Sequence, residues 1–112
     1  MAHFDFEKMQ TIQKELQAKY KEKWTPMEPQ YAKDKLLYMF IEAGEMADII
    51  KKQGDESIMQ DMPVREHFIE EMCDTLMYLN DVMLCYGISP EELEEVYLKK
   101  HEKNYETLVK SK

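Results

Sequence analysis

Apolar residues recur at helical spacing along this chain and nowhere alternate with polar ones as in a half-buried strand. That periodicity confines the fold to packed helices, an all-α class. The breaks between helices are few, because the 112 residues hold only three glycines and four prolines. Four helical segments are expected. The first runs from about Phe6 to Glu22 with Asp5 as N-cap. The stretch "WTPMEP" interrupts the chain, Thr25-Pro26-x-Glu28 having the form of a capping box that Pro29 limits to a turn. The second segment covers about Gln30 to Gln53 and stops at Gly54. A polar loop, "GDESIMQDMP", leads to the third, about Val64 to Tyr86, which ends before Gly87. Ser89-Pro90-Glu91-Glu92 starts the fourth, with Ser as N-cap, Pro at the first position and Glu at the third, and that helix continues to about Val109.

Length and charge narrow the function classes. A chain of this size is one domain, residues 1–112, with room for a single core. A net charge of −8 disfavours a nucleic-acid polymer or an anionic membrane as the main partner. It leaves a nucleotide open, provided a cation stands between carboxylates and phosphates. No apolar run approaches the roughly 18 residues of a membrane span, and "MAHFDFEKMQ" lacks the basic and apolar regions of a signal peptide. Cys73 and Cys85 lie twelve residues apart on one predicted helix, about 18 Å, too far for a bridge. Free thiols in a reducing cytoplasm are the expectation.

Two acidic pairs attract most notice. At 100° per residue, Met39, Phe40, Ala43, Ala47 and Ile50 form a stripe roughly 60–160° from Glu42, flanked by Met46 and Ile49, with Glu45 one turn on. On the third helix Phe68, Met72, Leu76, Leu79 and Met83 stand in the same relation to Glu71, with Val82 and Tyr78 flanking it and Asp74 in the place of Glu45. These stripes are the predicted core. An antiparallel pairing of the two helices would then bring four carboxylates to the margin of that core. Four anions so close raise one another's pKa or demand a cation, and oxygen-only ligands favour Mg²⁺ or Mn²⁺. A chain of which 23 residues are Asp or Glu also acquires acidic i, i+3 pairs by chance, on solvated faces, so spacing alone leaves both readings open.

Glu42-Ala-Gly-Glu45, twenty-five intervening residues and Glu71-Met-Cys-Asp74 resemble the ExxE…ExxD signature of the MazG-like nucleotide pyrophosphohydrolases. These are all-α NTP pyrophosphatases, a superfamily that includes the dimeric dUTPases. "LLYMFIEAGEMADIIK", "IEEMCDTLMYLNDVM" and "YGISPEELEEVYLKKHEKN" extend the likeness over roughly Leu16 to Asn104. The resemblance implies a four-to-five-helix bundle completed by a second copy, as a homodimer or homotetramer. It implies hydrolysis of a (deoxy)nucleoside triphosphate to the monophosphate and pyrophosphate, by water attacking the α-phosphorus, as in nucleotide-pool housecleaning. Mg²⁺, with Mn²⁺ as a substitute, would be held by Glu42, Glu45, Glu71 and Asp74, and Glu42 or Glu45 would accept the water's proton.

The likeness also assigns substrate contacts. Lys100, Lys103 and Asn104 match a C-terminal Lys/Asn segment that reaches the phosphates; the alternative is a basic helix end facing solvent. Trp24 matches an aromatic that stacks on the base, and Tyr78 a tyrosine near sugar or base, although either ring could instead be core. His67, one turn before Glu71, is expected at the surface, and Asp48 and Asp81 are expected to face solvent. The chain departs from the pattern at Ile41, where many relatives have an acid. It also lacks an arginine after Asn104, which leaves phosphate charge to Lys51, Lys52 or a partner subunit. Three other identities fit the same composition: a dUTPase-like enzyme, a di-iron bundle, and a non-enzymatic helical dimerisation module. The di-iron bundle would want Glu-x-x-His, and none of the three histidines has Glu three residues before it.

Overall fold

Asp5 opens the first helix by accepting a hydrogen bond from the Lys8 amide at 2.8 Å. The computed structural model describes residues 3–23 and 26–110. The fold is all-α, with α1 (Phe6–Lys19), α2 (Ala32–Gln53), α3 (Asp55–Gln60), α4 (Met62–Cys85) and α5 (Pro90–Lys110), and a 3-10 turn at Pro29–Tyr31 leading into α2. Helix α1 ends at Lys19, earlier than expected. The run that follows, Lys21-Glu22-Lys23, has no apolar face for packing to hold, and Lys23 closes a turn onto the Tyr20 carbonyl at 2.9 Å. The Thr25 arm of the anticipated capping box lies outside the described residues.

The expected loop between the long helices contains α3. Gly54, at φ 83°, turns the chain after α2, and Asp55 and Glu56 in the next turn favour a new helix start. Helix α4 begins earlier than Val64 because Pro63 sits in its first turn, where a missing amide hydrogen costs nothing. The start of α5 follows expectation in full. The Glu92 amide donates to Ser89 Oγ at 3.1 Å and the Ser89 amide donates to Glu92 Oε1 at 3.2 Å, a reciprocal box.

Helices α2 and α4 form the central pair. Tyr38 meets Tyr78, Glu42 meets Glu71, and Asp48 and Lys52 share a hollow with Pro63 and His67. The helices therefore run antiparallel. The side chains that α2 turns inward are Ala32, Lys35, Met39, Glu42, Met46 and Ile49, and those of α4 are Val64, Phe68, Glu71, Thr75, Tyr78, Val82 and Cys85. Both sets follow the alternating three-and-four spacing of a heptad seam. The glutamates are thus members of the seam. The stripes predicted as core are largely a second, outer seam. Phe40, Ala47, Ile50, Met72 and Leu76 are exposed, Met39, Ala43, Phe68 and Leu79 are half-covered, and Met83 alone of that set is buried. The outward displacement has a simple cause: one partner helix can cover only one of two adjacent seams.

Helix α1 closes over the far end of α4 with Met9 and three polar hooks. Gln10 Nε2 donates to the Ile88 carbonyl at 2.7 Å, Gln13 Nε2 to Asp81 Oδ1 at 2.7 Å, and Asn80 Nδ2 to the Met9 carbonyl at 3.3 Å. Helix α5 touches α1 alone among the described elements. The result is an expanded chain. It exposes 8947 Å², against about 6,500 Å² for a compact monomer of 13.5 kDa. Its radius of gyration is 17.1 Å, against about 13 Å for a compact domain of this length. Among the described residues, no helix is long and apolar enough to cross a membrane. Loss of the α5 box tests the local account: Ser89→Ala should lower stability by about 1 kcal/mol in urea unfolding, and Ser89→Asp should restore most of it.

Candidate metal centre and adjoining cleft

Glu42 and Glu71 project from facing seam positions, and Glu45 follows Glu42 by one turn. One carboxylate oxygen from each of the three lies within 4.8 Å of the others. Glu42 and Glu71 are half-buried while Glu45 is exposed. The Glu71 side chain retains 12% of its accessible surface, and His67, itself 60% exposed, places Nε2 at 3.3 Å from its Oε1. The other oxygen of Glu71, Oε2, is sealed from solvent and has no hydrogen-bond partner among the described residues. His67 therefore sits at the surface, as expected, and from there its ring reaches Glu71 at the edge of the cluster.

Electrostatics follow from that crowding. The Glu42 carboxyl is pushed up to about 7, first by the hydrogen bond it shares with Glu71, then by burial, then by Glu45. Glu71 moves the opposite way, below the usual carboxylate range, because its charged form receives that bond from Glu42 and a further one from Glu45, with His67 assisting. In the metal-free chain the pair is stable when Glu42 holds the proton that Glu71 accepts. A divalent cation meets the same need without a proton. The ligand set is oxygen only, and one of those oxygens is sealed from water, so these residues fit a hard cation such as Mg²⁺ or Mn²⁺.

Asp74 is not part of this converged set. It lines an open cleft of about 570 Å³ next to it, together with Glu42, Tyr38, Met77, Tyr78, Asp81 and Lys35 on the central pair, Gln13, Leu16 and Gln17 on α1, and Lys23. The Tyr38 and Tyr78 rings lie 5.7 Å apart at 52°. Burial, with the charges of Glu42, Asp81 and Asp74, raises the Tyr78 phenol. Tyr78 thus stands beside the acidic set, as the sequence places it. Asp81 does not face solvent: it is 4% exposed, because Gln13 of α1 closes on it. Its carboxyl is raised by burial, against the pull of Gln13 and Lys35.

The remaining assignments separate. Lys100, Lys103 and Asn104 lie exposed on α5, which meets neither α2 nor α4. Asp48 and Lys52 are exposed and pair with each other at 2.9 Å. Trp24 lies outside the described residues. Cys73 is exposed and Cys85 buried, both free. Gln13 and Lys35 escaped the sequence reading, although Lys35 lies seven residues before Glu42 on the same seam. Asp81 was named in the sequence analysis but expected to face solvent; its burial comes from Gln13 of α1. Comparison with protein-family models, with curated proteins and with solved structures gives no match to this chain.

The sign of the Glu42 shift predicts how the metal-free protein responds to pH. A carboxyl raised from 4.5 to about 7 on folding contributes stability that is complete below the unfolded value and is lost as pH climbs to the folded one. Glu71, being lowered, acts in the opposite sense and only as pH falls below its ordinary value. Thermal melts in EDTA should therefore show Tm falling as pH rises through that window. Glu42→Gln should flatten the decline. Parallel slopes for the two proteins would show that the proton resides elsewhere.

Proposed function

We propose that this chain is a metal-dependent nucleoside triphosphate pyrophosphohydrolase. The observation that carries the reading is the convergence of Glu42, Glu45 and Glu71 within a helical seam, with one Glu71 oxygen sealed from solvent. A polar cluster placed where packing favours leucine costs stability unless a cation or proton compensates. The neighbouring cleft, lined by Glu42 and Asp74 at one side and tyrosines at another, offers a place for a nucleoside against that cluster. The ExxE…ExxD resemblance supplies the reaction class.

In this reading Glu42, Glu45 and Glu71 hold Mg²⁺, or Mn²⁺ in its place, with Asp74 completing the set from the cleft side. Bound there, the metal would supply charge screening for the phosphates and a lowered pKa for the attacking water. The water oxygen bonds to the α-phosphorus, the bond from that phosphorus to the α–β bridging oxygen breaks, and pyrophosphate leaves. Glu42 or Glu45 takes the proton of the water. His67 holds Glu71 from the solvent side and keeps its carboxylate in one orientation.

A single chain leaves this site open, and we assign its completion to a second copy, as a homodimer or a homotetramer. The outer seam presents Leu36, Phe40 and Ile50 from α2 and Ile69, Met72 and Leu76 from α4, all exposed. The surplus of about 2,400 Å² over a compact monomer is of the order that obligate interfaces remove. Gly44 supports the same face: a Cβ there would meet nothing within the chain, although glycine in mid-helix costs up to about 1 kcal/mol. Such a glycine fits close approach of another helix. Lys100, Lys103 and Asn104, stranded on α5 in their own chain, would then reach the phosphates of the partner's site.

Three outcomes test this reading. Incubation with NTPs and dNTPs in Mg²⁺ or Mn²⁺ should release pyrophosphate and a monophosphate, and Glu45→Gln and Asp74→Asn should abolish release with the fold intact. Unchanged turnover in those variants would sink the assignment. Millimolar Mg²⁺ should raise Tm, and Glu71→Gln should remove that rise; absence of any rise favours a helical dimerisation module without catalysis. Phe40→Asp should convert the oligomer to monomer in sedimentation velocity, whereas an unshifted sedimentation coefficient would place the interface elsewhere.

A further inference from the structure

The cleft beside Glu42 is lined by a pair of hydrogen-bonded side chains, Asp81 and Gln13, with the buried Lys35 beside them. Asp81 projects into it from α4 while 96% of its surface is covered, leaving 4% exposed. Gln13 reaches it from α1, its Nε2 donating to Asp81 Oδ1 at 2.7 Å. An ionised carboxylate only accepts, so Gln13 must turn its amide nitrogen to Asp81 and keep its carbonyl for another partner. Asp81 likewise keeps a second oxygen. The pair therefore offers a ligand two acceptors and no donor from either side chain.

Resting on the pyrophosphohydrolase reading, we propose that this cleft selects a nucleobase with two adjacent hydrogen-bond donors, the guanine edge of N1–H and 2-amino group, with Asp81 and Gln13 as the specificity-determining residues. Of the common bases guanine alone presents that pair. Adenine and cytosine set an acceptor beside their amino group. Uracil and thymine flank one N–H with two carbonyls, which would face the acceptors of Asp81 and Gln13. A buried acceptor left without a donor discriminates far more strongly than a misfitted apolar wall does. The sides of the cleft suit a flat ring: Tyr38 and Tyr78 supply aromatic surface, and Leu16 and Met77 supply aliphatic surface. Its volume of about 570 Å³ lies in the range of small-molecule sites. Because Glu42 belongs to both the cleft and the glutamate cluster, a base seated here is continuous with the hydrolytic centre.

The test uses the intact protein and monophosphates, so binding is read apart from catalysis. Calorimetric titration with dGMP, dIMP and dUMP should give dGMP the tightest binding. Loss of the 2-amino group alone, in dIMP, should weaken it by roughly 10- to 100-fold, the range for a hydrogen bond to a charged acceptor. Asp81→Asn, which keeps a carbonyl for Gln13 but turns the other acceptor into a donor, should close the gap between dGMP and dIMP. Equal affinities for the three ligands, a preference for dUMP, or binding of none would overturn the proposal. Should Asp81→Asn not fold, the dGMP–dIMP difference in the unaltered protein decides alone. Pyrophosphate release from all dNTPs at equal kcat/KM would overturn the base preference and keep the hydrolase. The dGMP preference without release from dGTP would keep the cleft and overturn the hydrolase.

Discussion

Glu42 and Glu71 face each other across the α2–α4 seam at positions where a helical pair of this kind would ordinarily carry leucine or methionine. The arrangement holds two carboxyls beside a third, Glu45, with one carboxylate oxygen cut off from water. Several other features answer that strain. The Glu42 carboxyl shifts up to about 7, His67 leans onto Glu71 at 3.3 Å, and Met39, Met46 and Ile49 complete the seam around the break. Flexible methionine side chains suit such a break because they fill irregular space at little rotameric cost. A folding requirement alone would have filled these positions with apolar residues, which is why the acidic seam argues for use rather than for stability.

The second heptad seam follows from the first. Two helices with two apolar seams each cannot satisfy both by pairing once, and here the seam with the glutamates faces inward. The more apolar seam, from Leu36 to Ile50 and from Ile69 to Leu76, is left outside. This ordering makes chemical sense. On the function proposed above, carboxylates that meet a charged substrate would need an open cleft beside them, and the apolar seam would be free for a second copy to cover. The expanded dimensions of the chain and the separation of α5 from the central pair accompany that exposed seam.

Much of the architecture was legible from local chemistry. The Asp5 cap, the Ser89–Glu92 box and the glycine at position 54 act within a few residues, and each holds. The seam assignment was harder, because a 100° wheel averages over both stripes of a two-seam helix, and the eye favours the more apolar one. Three-and-four spacing through Lys35, Glu42 and Ile49 separates the seams, but only if charged residues are admitted as seam members. Asp81 misled for a related reason. Its burial is created by Gln13, 68 positions earlier in the chain, and no helical periodicity encodes such a contact. The α3 turn was hidden by its polarity, since six residues beginning Asp-Glu-Ser look like loop unless Gly54 is seen as a redirecting residue.

The docking of α1 ties these strands together. Met9 is its single buried apolar anchor among the described residues; the rest of its attachment comes from the hooks of Gln10, Gln13 and the Asn80 amide. Hydrogen bonds of this kind fix register more than they add stability, since each contributes only about 1 kcal/mol net. The Asn80 carbonyl oxygen is buried without a partner among the described residues, so the hooks are not fully satisfied and the attachment is correspondingly modest. Gln13 serves twice, fixing the register of α1 and forming the acceptor pair of the cleft. The register of α1 on α4 and the polarity of the cleft are therefore one property of the fold. An alteration that slid α1 by a turn would remove Gln13 from Asp81 and return that carboxylate to water, leaving the glutamate cluster in place but the cleft without its paired acceptors.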